Sequence, residues 1–216
     1  VQLGALELIV DQVSMRFDNR AVLRSISLSI RPGEFVALVG PSGSGKSTLL
    51  GVLSGLATPT SGTALVHLNG KPYEPRLFCA WVPQGGNSMP TRTVLDNAAL
   101  GGLGAGMDRS EARHAAIAAL RIVGIDSLAR KRANTLSGGE LQRLAVARAA
   151  CLGRKFVLAD EPTGALDATT TDRVVDVLQA LARRDMAVIV ATHDTSVAEK
   201  CDRVLSLVDG ALRDVS

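Results

Sequence analysis

Residues 34–56 read EFVALVGPSGSGKSTLLGVLSGL, and no other stretch of the chain restricts the fold as tightly. EFVALVG (34–40) is a short continuous apolar run, the pattern of a strand covered on both faces. GKSTLLGVLSGL (45–56) places its apolar residues at helical spacing. Between them, GPSGSGKS (40–47) offers a loop with little side-chain bulk. A strand buried on both faces, running through such a loop into a helix, requires a layered α/β arrangement.

The rest of the chain repeats the theme. LELIVDQVSMRF (6–17), ISLSI (26–30), TALVHLNG (63–70) and FCAWVPQ (78–84) read as strands, as do KFVLAD (155–160), MAVIVATHD (186–194) and RVLSLVDG (203–210). Residues 169–184 read as a helix. From about Val94 to Gly153 the pattern is helical, including SEARHAAIAALRIVG (110–124), where Ser110 is the expected N-cap. The glycine-rich LGGLGAGM (100–107) is expected to be a flexible connection. The alternation predicts an α/β core interrupted by a helical subdomain. The chain shows no internal repeat.

Composition narrows the function. With 24 Lys and Arg against 21 Asp and Glu, the basic residues are scattered and the net charge is only +3. That is a poor footprint for nucleic acid, and none is expected as a partner. Cys79, Cys151 and Cys201 are far apart with no CxxC spacing, so buried thiols in a reduced compartment are expected. No signal-like leader is seen at Val1, and apolar runs such as AVIVA (187–191) are strand-length, short of the ~20 residues a membrane helix needs.

The chemistry is concentrated in a few motifs. GPSGSGKS fits G-x4-G-K-[ST] between a strand and a helix, the context in which such a loop cradles phosphate. Gly43 and Gly45 let the backbone wrap phosphate oxygens, and the helix-start amides donate to them. Lys46 is expected to reach the β- and γ-phosphates and Ser47 to ligate Mg²⁺. In FVLADE (156–161), Asp160 ends an apolar strand where it can hold Mg²⁺ through water, and Glu161 is placed as a general base toward water. His193, closing the strand VATH, is expected at the ligand-facing edge.

LSGGELQR (136–143) poses a different problem. Ser137 and Glu140 make an ordinary capping box, which does not explain Gly138 and Gly139. Two glycines in a first turn lower helix stability, so something must approach that backbone closely.

Taken together, these residues resemble the ATP-binding cassette (ABC) ATPases over nearly the whole chain. GPSGSGKS looks like the family's Walker A, FVLADE its Walker B with catalytic Glu161, and LSGGELQR its signature. Gln84 in WVPQ matches the Q-loop, ALD (165–167) the D-loop and His193 the H-loop. The resemblance implies a RecA-like P-loop core of residues 1–84 and 154–216, with antiparallel N-terminal strands. Residues 85–153 would form the helical subdomain. It implies ATP and Mg²⁺ as ligands. Phe17 and Val22 would meet adenine, and Gly40, Pro41, Ser42, Gly43, Ser44, Gly45, Lys46, Ser47 and Thr48 the phosphates. Ser47, Gln84 and Asp160 would hold the metal; Glu161, His193 and Gln84 would serve hydrolysis. Two copies would pair head to tail, so that Ser137, Gly138, Gly139, Glu140 and Asp167 of one close on ATP held by the other.

ADEPTGALD (159–167) resembles the branch with MacB-type, LolD-type and FtsE-type cassettes. That implies a membrane-spanning permease partner and a place at the cytoplasmic face of the inner membrane. The role would be export of a lipophilic, peptide, antibiotic, lipoprotein or haem-like cargo, or mechanotransmission. Two stretches depart from the family pattern: KRANT (131–135) replaces a Tyr-Pro approach to the signature, and GGNSMPTRTVLDN after Gln84 is short. A DNA-acting cassette would insert long coiled coils and a ribosome-acting one would fuse two cassettes; neither is present. A monomeric P-loop kinase or GTPase would have no use for the signature.

Overall fold

A computed structural model describes residues 6–18, 20–164 and 166–215. It holds two sheets. The first is antiparallel, built from β1 (Leu6–Phe17), β2 (Arg20–Ile30), β4 (Ser61–Leu68) and β5 (Lys71–Tyr73) in the order β2-β1-β4-β5. The second comprises β3 (Phe35–Val39), β6 (Cys79–Val82), β7 (Phe156–Asp160), β8 (Ala187–Thr192), β9 (Arg203–Val208) and β10 (Ala211–Asp214). Its order is β10-β9-β3-β8-β7-β6, parallel from β9 to β6, with β10 antiparallel at one edge.

The parallel strands read as unbroken apolar runs because both faces are covered. Phe156 and Leu158 point into one core, Val157 and Ala159 into the other; on β8, Ile189 and Ala191 oppose Val188 and Val190. The first core lies between the two sheets and encloses α1 (Lys46–Leu53) through Leu49, Leu50 and Leu53. The second lies beneath α2 (Val94–Gly104), α3 (Arg109–Ile122), α4 (Gly138–Cys151) and α5 (Ala168–Ala182). A short α6 (Thr195–Ala198) follows β8. Along β1 the buried positions change parity, from Leu6, Leu8 and Val10 to Val13 and Met15, across a register shift after Val10. One extra residue there keeps both halves of the strand facing the core.

Three expectations are corrected. Residues 100–104 are not a connection: they are the last turns of α2. A Cβ on Gly101 would overlap the Arg148 carbonyl oxygen, and one on Gly102 would press on Ala112 at 3.0 Å. These glycines let α2 lie against α4 and α3 at close range, which offsets their helix cost. The N-cap of α3 is Asp108, not Ser110: Asp108 Oδ1 accepts from Ser110 N and Glu111 N at 2.7 and 2.9 Å, and Glu111 returns a bond to Asp108 N. The cysteines are free thiols; Cys79 and Cys151 are buried, and Cys201 is half-buried instead of fully so. Burial pushes the Cys79 and Cys201 thiols up to about 12, which keeps them protonated and unreactive.

Candidate nucleotide site

Four loops leave the C-terminal ends of neighbouring parallel strands and meet above the sheet, where ligands of open α/β folds bind. The loop after β3 carries residues 40–45, that after β7 carries Glu161, that after β8 carries His193, and that after β6 carries Gln84. Because β8 lies between β3 and β7, His193 sits between the glycine loop and Glu161.

The glycine loop ends at Gly45, the N-cap of α1, which has φ +104° and no side-chain cap. A side chain there is strained by the backbone, and its Cβ would press on Val22 Cγ1 at 3.0 Å. The first amides of α1 are therefore left for an incoming anion. Lys46 is buried; its Nζ donates to Gly40 O at 2.8 Å and Pro41 O at 3.4 Å, and lies 3.7 Å from Glu161 Oε1. Ser44 Oγ is buried with no hydrogen-bond partner among the described residues. Ser47 Oγ donates to Asp160 Oδ1 at 3.1 Å.

Glu161 departs from β7 in the left-handed region, φ +44°, with its amide donating to Ala191 O at 2.9 Å. That turn is uncommon for a residue with a long side chain. It brings the carboxylate between Lys46 and His193: Oε1 toward the Lys46 Nζ, and Oε2 at 2.9 Å from His193 Nδ1. A cleft of about 500 Å³ opens over these groups. Ser42, Gly43, Gly45, Lys46, Ser47 and Thr48 form its floor, and Gln84, Glu161 and His193 one side. At the far end stand Phe17, Arg20 and Val22 from the antiparallel sheet, with the Phe17 ring 53% exposed. Arg20 was not anticipated; its nearness to Phe17 and Val22 in sequence was the available signal. Gly40 and Pro41 line a neighbouring hollow that also reaches His193.

The signature residues and Asp167 are not among those lining this cleft. Ser137 caps α4 in a complete capping box: Glu140 N donates to Ser137 Oγ at 3.4 Å and Ser137 N to Glu140 Oε2 at 2.8 Å. That bond from Ser137 N, aided by the Ser137 hydroxyl and by Arg143 and Lys131, holds the Glu140 carboxyl below its ordinary range. Gly138 is exposed, and among the described residues a Cβ on it would meet only Leu166 Cδ2, at 3.7 Å. Gly139 is buried, and a Cβ on it would overlap the Thr170 methyl. Asp167 caps α5, with its carboxyl held low by bonds from the Thr170 amide and hydroxyl. Ala165 of the ALD stretch lies outside the described residues. KRANT runs beside the stretch after Gln84: Val94 N donates to Lys131 O and Ala133 N to Arg92 O.

The profile of the ABC transporter family matches residues 23–164. The chain belongs to the ABC transporter family. It is 41% identical over 202 residues to the lipoprotein-releasing system ATP-binding protein LolD of Hyphomonas neptunium, covering 89% of each chain. It is 40% identical over 199 residues to the macrolide export ATP-binding/permease protein MacB of Brucella abortus. That match covers 88% of this chain but 31% of the relative, so this chain spans about a third of MacB's length. Among solved structures, a dimer of the ATP-binding cassette MJ0796 with ADP and Pi superposes with a TM-score of 0.81 at 31% identity, covering 97% of this chain and 99% of that one. The fold is accordingly the RecA-like P-loop fold of an ABC cassette, and the sequence places it with LolD and MacB.

The ABC assignment can be tested on the cleft itself. Uncapped amides and a buried ammonium suit an anion of phosphate size; the unpartnered Ser44 hydroxyl lies on the other side of the same loop, in a hollow it shares with Pro41 and Gly210. Ser47 and Asp160 supply hard oxygen donors, which suit Mg²⁺. Among the described residues there is no group of three His, Cys, Asp or Glu placed to hold a metal; Mg²⁺ is commonly held by one or two protein oxygens together with water and substrate phosphates. Among those residues, too, no helix is long and apolar enough to cross a membrane.

Proposed function

We propose that this chain is the ATP-hydrolysing subunit of a LolD- or MacB-type complex, working as a head-to-tail pair beneath a membrane-spanning permease. The observation that carries this reading is the separation of its two glycine-bearing helix starts. One lines the chain's own cleft, while Gly138 is exposed and away from it. The dimeric form of the MJ0796 cassette supports pairing. The two working bodies would be residues 1–84 with 154–216, and 85–153.

In this reading Phe17 stacks on adenine with Val22 beside it, and residues 40–48 enclose the phosphates. Lys46 neutralises charge on the β- and γ-phosphates. Ser47, Gln84 and Asp160 would hold Mg²⁺, which supplies further charge neutralisation. Glu161 faces Lys46 and His193. A γ-phosphate would compete for Lys46 and so leave the carboxylate free to face water. Glu161 then takes a proton from water as its oxygen attacks phosphorus and the bond to ADP breaks. Ser137, Gly138, Gly139, Glu140 and Asp167 serve the opposite chain's nucleotide. Contacts to γ-phosphate across the pair exist only when it is closed, so binding closes it and hydrolysis reopens it.

The permease would dock on the segment after Gln84. A groove of about 430 Å³ there is lined by Met89, Arg92, Leu100, Leu103 and Arg113 among others, with Met89 and Leu103 49% and 42% exposed. If the partner is MacB-type, cargo is taken from the outer leaflet or the periplasmic side.

Glu161→Gln tests the pairing. It keeps the shape of the side chain but removes the base, so it should hold ATP and elute as a dimer in Mg·ATP with little hydrolysis. Asp160→Asn, run in parallel, should lose Mg²⁺ dependence first. A Glu161→Gln protein that stays monomeric with ATP, or that hydrolyses at the wild-type rate, rules the reading out.

A further inference from the structure

Thr170 was not singled out by any motif, yet it touches both elements assigned to the opposite chain's nucleotide. Its amide donates to Asp167 Oδ1 at 3.0 Å and its hydroxyl to Asp167 Oδ2 at 2.9 Å. Its methyl fills the space where a Gly139 Cβ would lie. An N-cap aspartate needs only the amide bond. The second bond engages the other carboxylate oxygen, so Asp167 is held in one orientation although it is exposed. Among the twenty residues, threonine alone carries both a hydroxyl and a methyl on Cβ, and here each has a separate partner.

The contact belongs to a wider joint. Leu166 lies opposite Gly138, while Gly164 stands with its would-be Cβ 3.7 Å from Gln84 Nε2. A Cβ on Gly86 would press on the Leu141 carbonyl at 2.8 Å, and Gln142, buried in α4, donates to Pro83 O at 3.4 Å. The starts of α4 and α5 thus pack on each other; α4 also packs on the loop carrying Gln84, and Gly164, ahead of α5, lies near Gln84 itself.

We propose that Thr170 is a positioning residue that fixes the start of α5 to the start of α4, so that Asp167 and the Gly138–Gly139 backbone reach a partner chain's nucleotide as one unit. The inference rests on the head-to-tail reading above. It makes Gln84, in the chain's own cleft, and the surface offered to the partner parts of one packed cluster. A change at one is then transmitted to the other through contacts instead of through flexible chain.

The test uses the full chain with Thr170→Val and Thr170→Ser, each also in the Glu161→Gln background. Valine keeps the methyl and loses the hydroxyl; serine does the reverse. Thr170→Val should lower kcat about tenfold, the scale of one hydrogen bond to a charged group. Its KM for ATP and fluorescent-nucleotide affinity should stay at wild-type values, and its Tm should fall no further than that of Thr170→Ser. Glu161→Gln/Thr170→Val should need about tenfold more protein to dimerise in Mg·ATP. Thr170→Ser should lose some thermal stability yet keep kcat within about twofold. Wild-type kcat in Thr170→Val, or losses in both variants that merely track Tm, overturns the assignment. If Glu161→Gln alone dimerises while the Thr170→Val double variant dimerises equally well, only this inference falls. If Glu161→Gln alone does not dimerise, the pairing falls and takes this inference with it.

Discussion

Two helices in this chain begin with glycines, and the glycines are there for opposite reasons. At α1 the backbone itself requires one: Gly45 sits at φ +104°, and the helix start has no side-chain cap. At α4 the backbone is ordinary helix from Gly138 onward, and the start is fully capped by Ser137 and Glu140. There the requirement comes from outside the helix. Gly139 leaves room for Thr170 of the same chain, while Gly138 faces solvent, and among the described residues Leu166 Cδ2, at 3.7 Å, is the nearest atom to where its Cβ would be. One start is built to hold a ligand among its own amides. The other is finished as a protein surface, with one open glycine for which the described residues give no steric reason. The two should therefore answer differently to substitution.

The largest difference is expected at Lys46. Its ammonium is buried at the first start and bound to Gly40 O and Pro41 O, so it both shapes the loop and meets the phosphates. Lys46→Ala should weaken ATP binding and reduce hydrolysis by about 10²–10³-fold, the scale of one preorganised charge donor. Fluorescent-nucleotide titration gives the affinity; an unchanged value breaks the assignment of the first start to phosphate. Next comes Gly45→Ala, which forces a Cβ into a left-handed backbone and against Val22. About 1–3 kcal/mol of strain is expected, seen as lower nucleotide affinity and lower Tm together.

Sequence patterns revealed the first start fully and the second only in part. A G-x4-G-K-S loop between a buried strand and a helix is local, and local geometry is what sequence spacing encodes. The parallel strands were legible for the same reason, since two covered faces leave an unbroken apolar run. Gly101 and Gly102 were misread because their helix cost is offset by α4 and α3, which are distant in sequence. Asp108 was passed over for Ser110 because both are good capping residues, and only the bonds decide between them. Short edge strands β5 and β10 went unnoticed for want of length to show a period. Thr170 could not have been found from spacing, because its importance lies in meeting Gly139, thirty-one positions earlier.

Gly138→Ala sharpens the contrast, and does so better than a change at Gly139. Gly139→Asp would collide with Thr170 inside its own chain, so a loss of hydrolysis would not separate pairing from misfolding. At Gly138 the added methyl has room and a helical backbone. Stability should rise by up to about 1 kcal/mol, the helix preference of Ala over Gly. Nucleotide affinity of the single chain should be unchanged. If the partner's γ-phosphate must reach that backbone, hydrolysis should nonetheless fall several-fold. A stabilised protein with undiminished hydrolysis would mean that nothing approaches Gly138.

The smallest effect should come from the cap of the second start, and acid should reveal it. The Glu140 carboxyl is lowered chiefly by the bond it accepts from Ser137 N, with further help from Ser137 Oγ, Arg143 and Lys131. A carboxyl that binds its proton less readily when folded stabilises the fold above its unfolded pKa, near the ordinary 4.5. That contribution disappears as pH falls through the lower folded value. Asp167 and Asp194 are lowered in the same way and would blur a simple acid melt. Comparing wild type with Glu140→Ala removes them, since both proteins keep those caps. At pH 7 the wild type should melt higher by about a degree or two, the worth of a capping bond discounted for its exposure. Below about pH 4 the gap should narrow as the wild type loses the charge that the variant never had. A gap unchanged down to pH 3 would mean that the carboxylate charge contributes nothing. The second start would then owe its order to the Ser137 hydroxyl cap and to packing on Thr170 and Leu166.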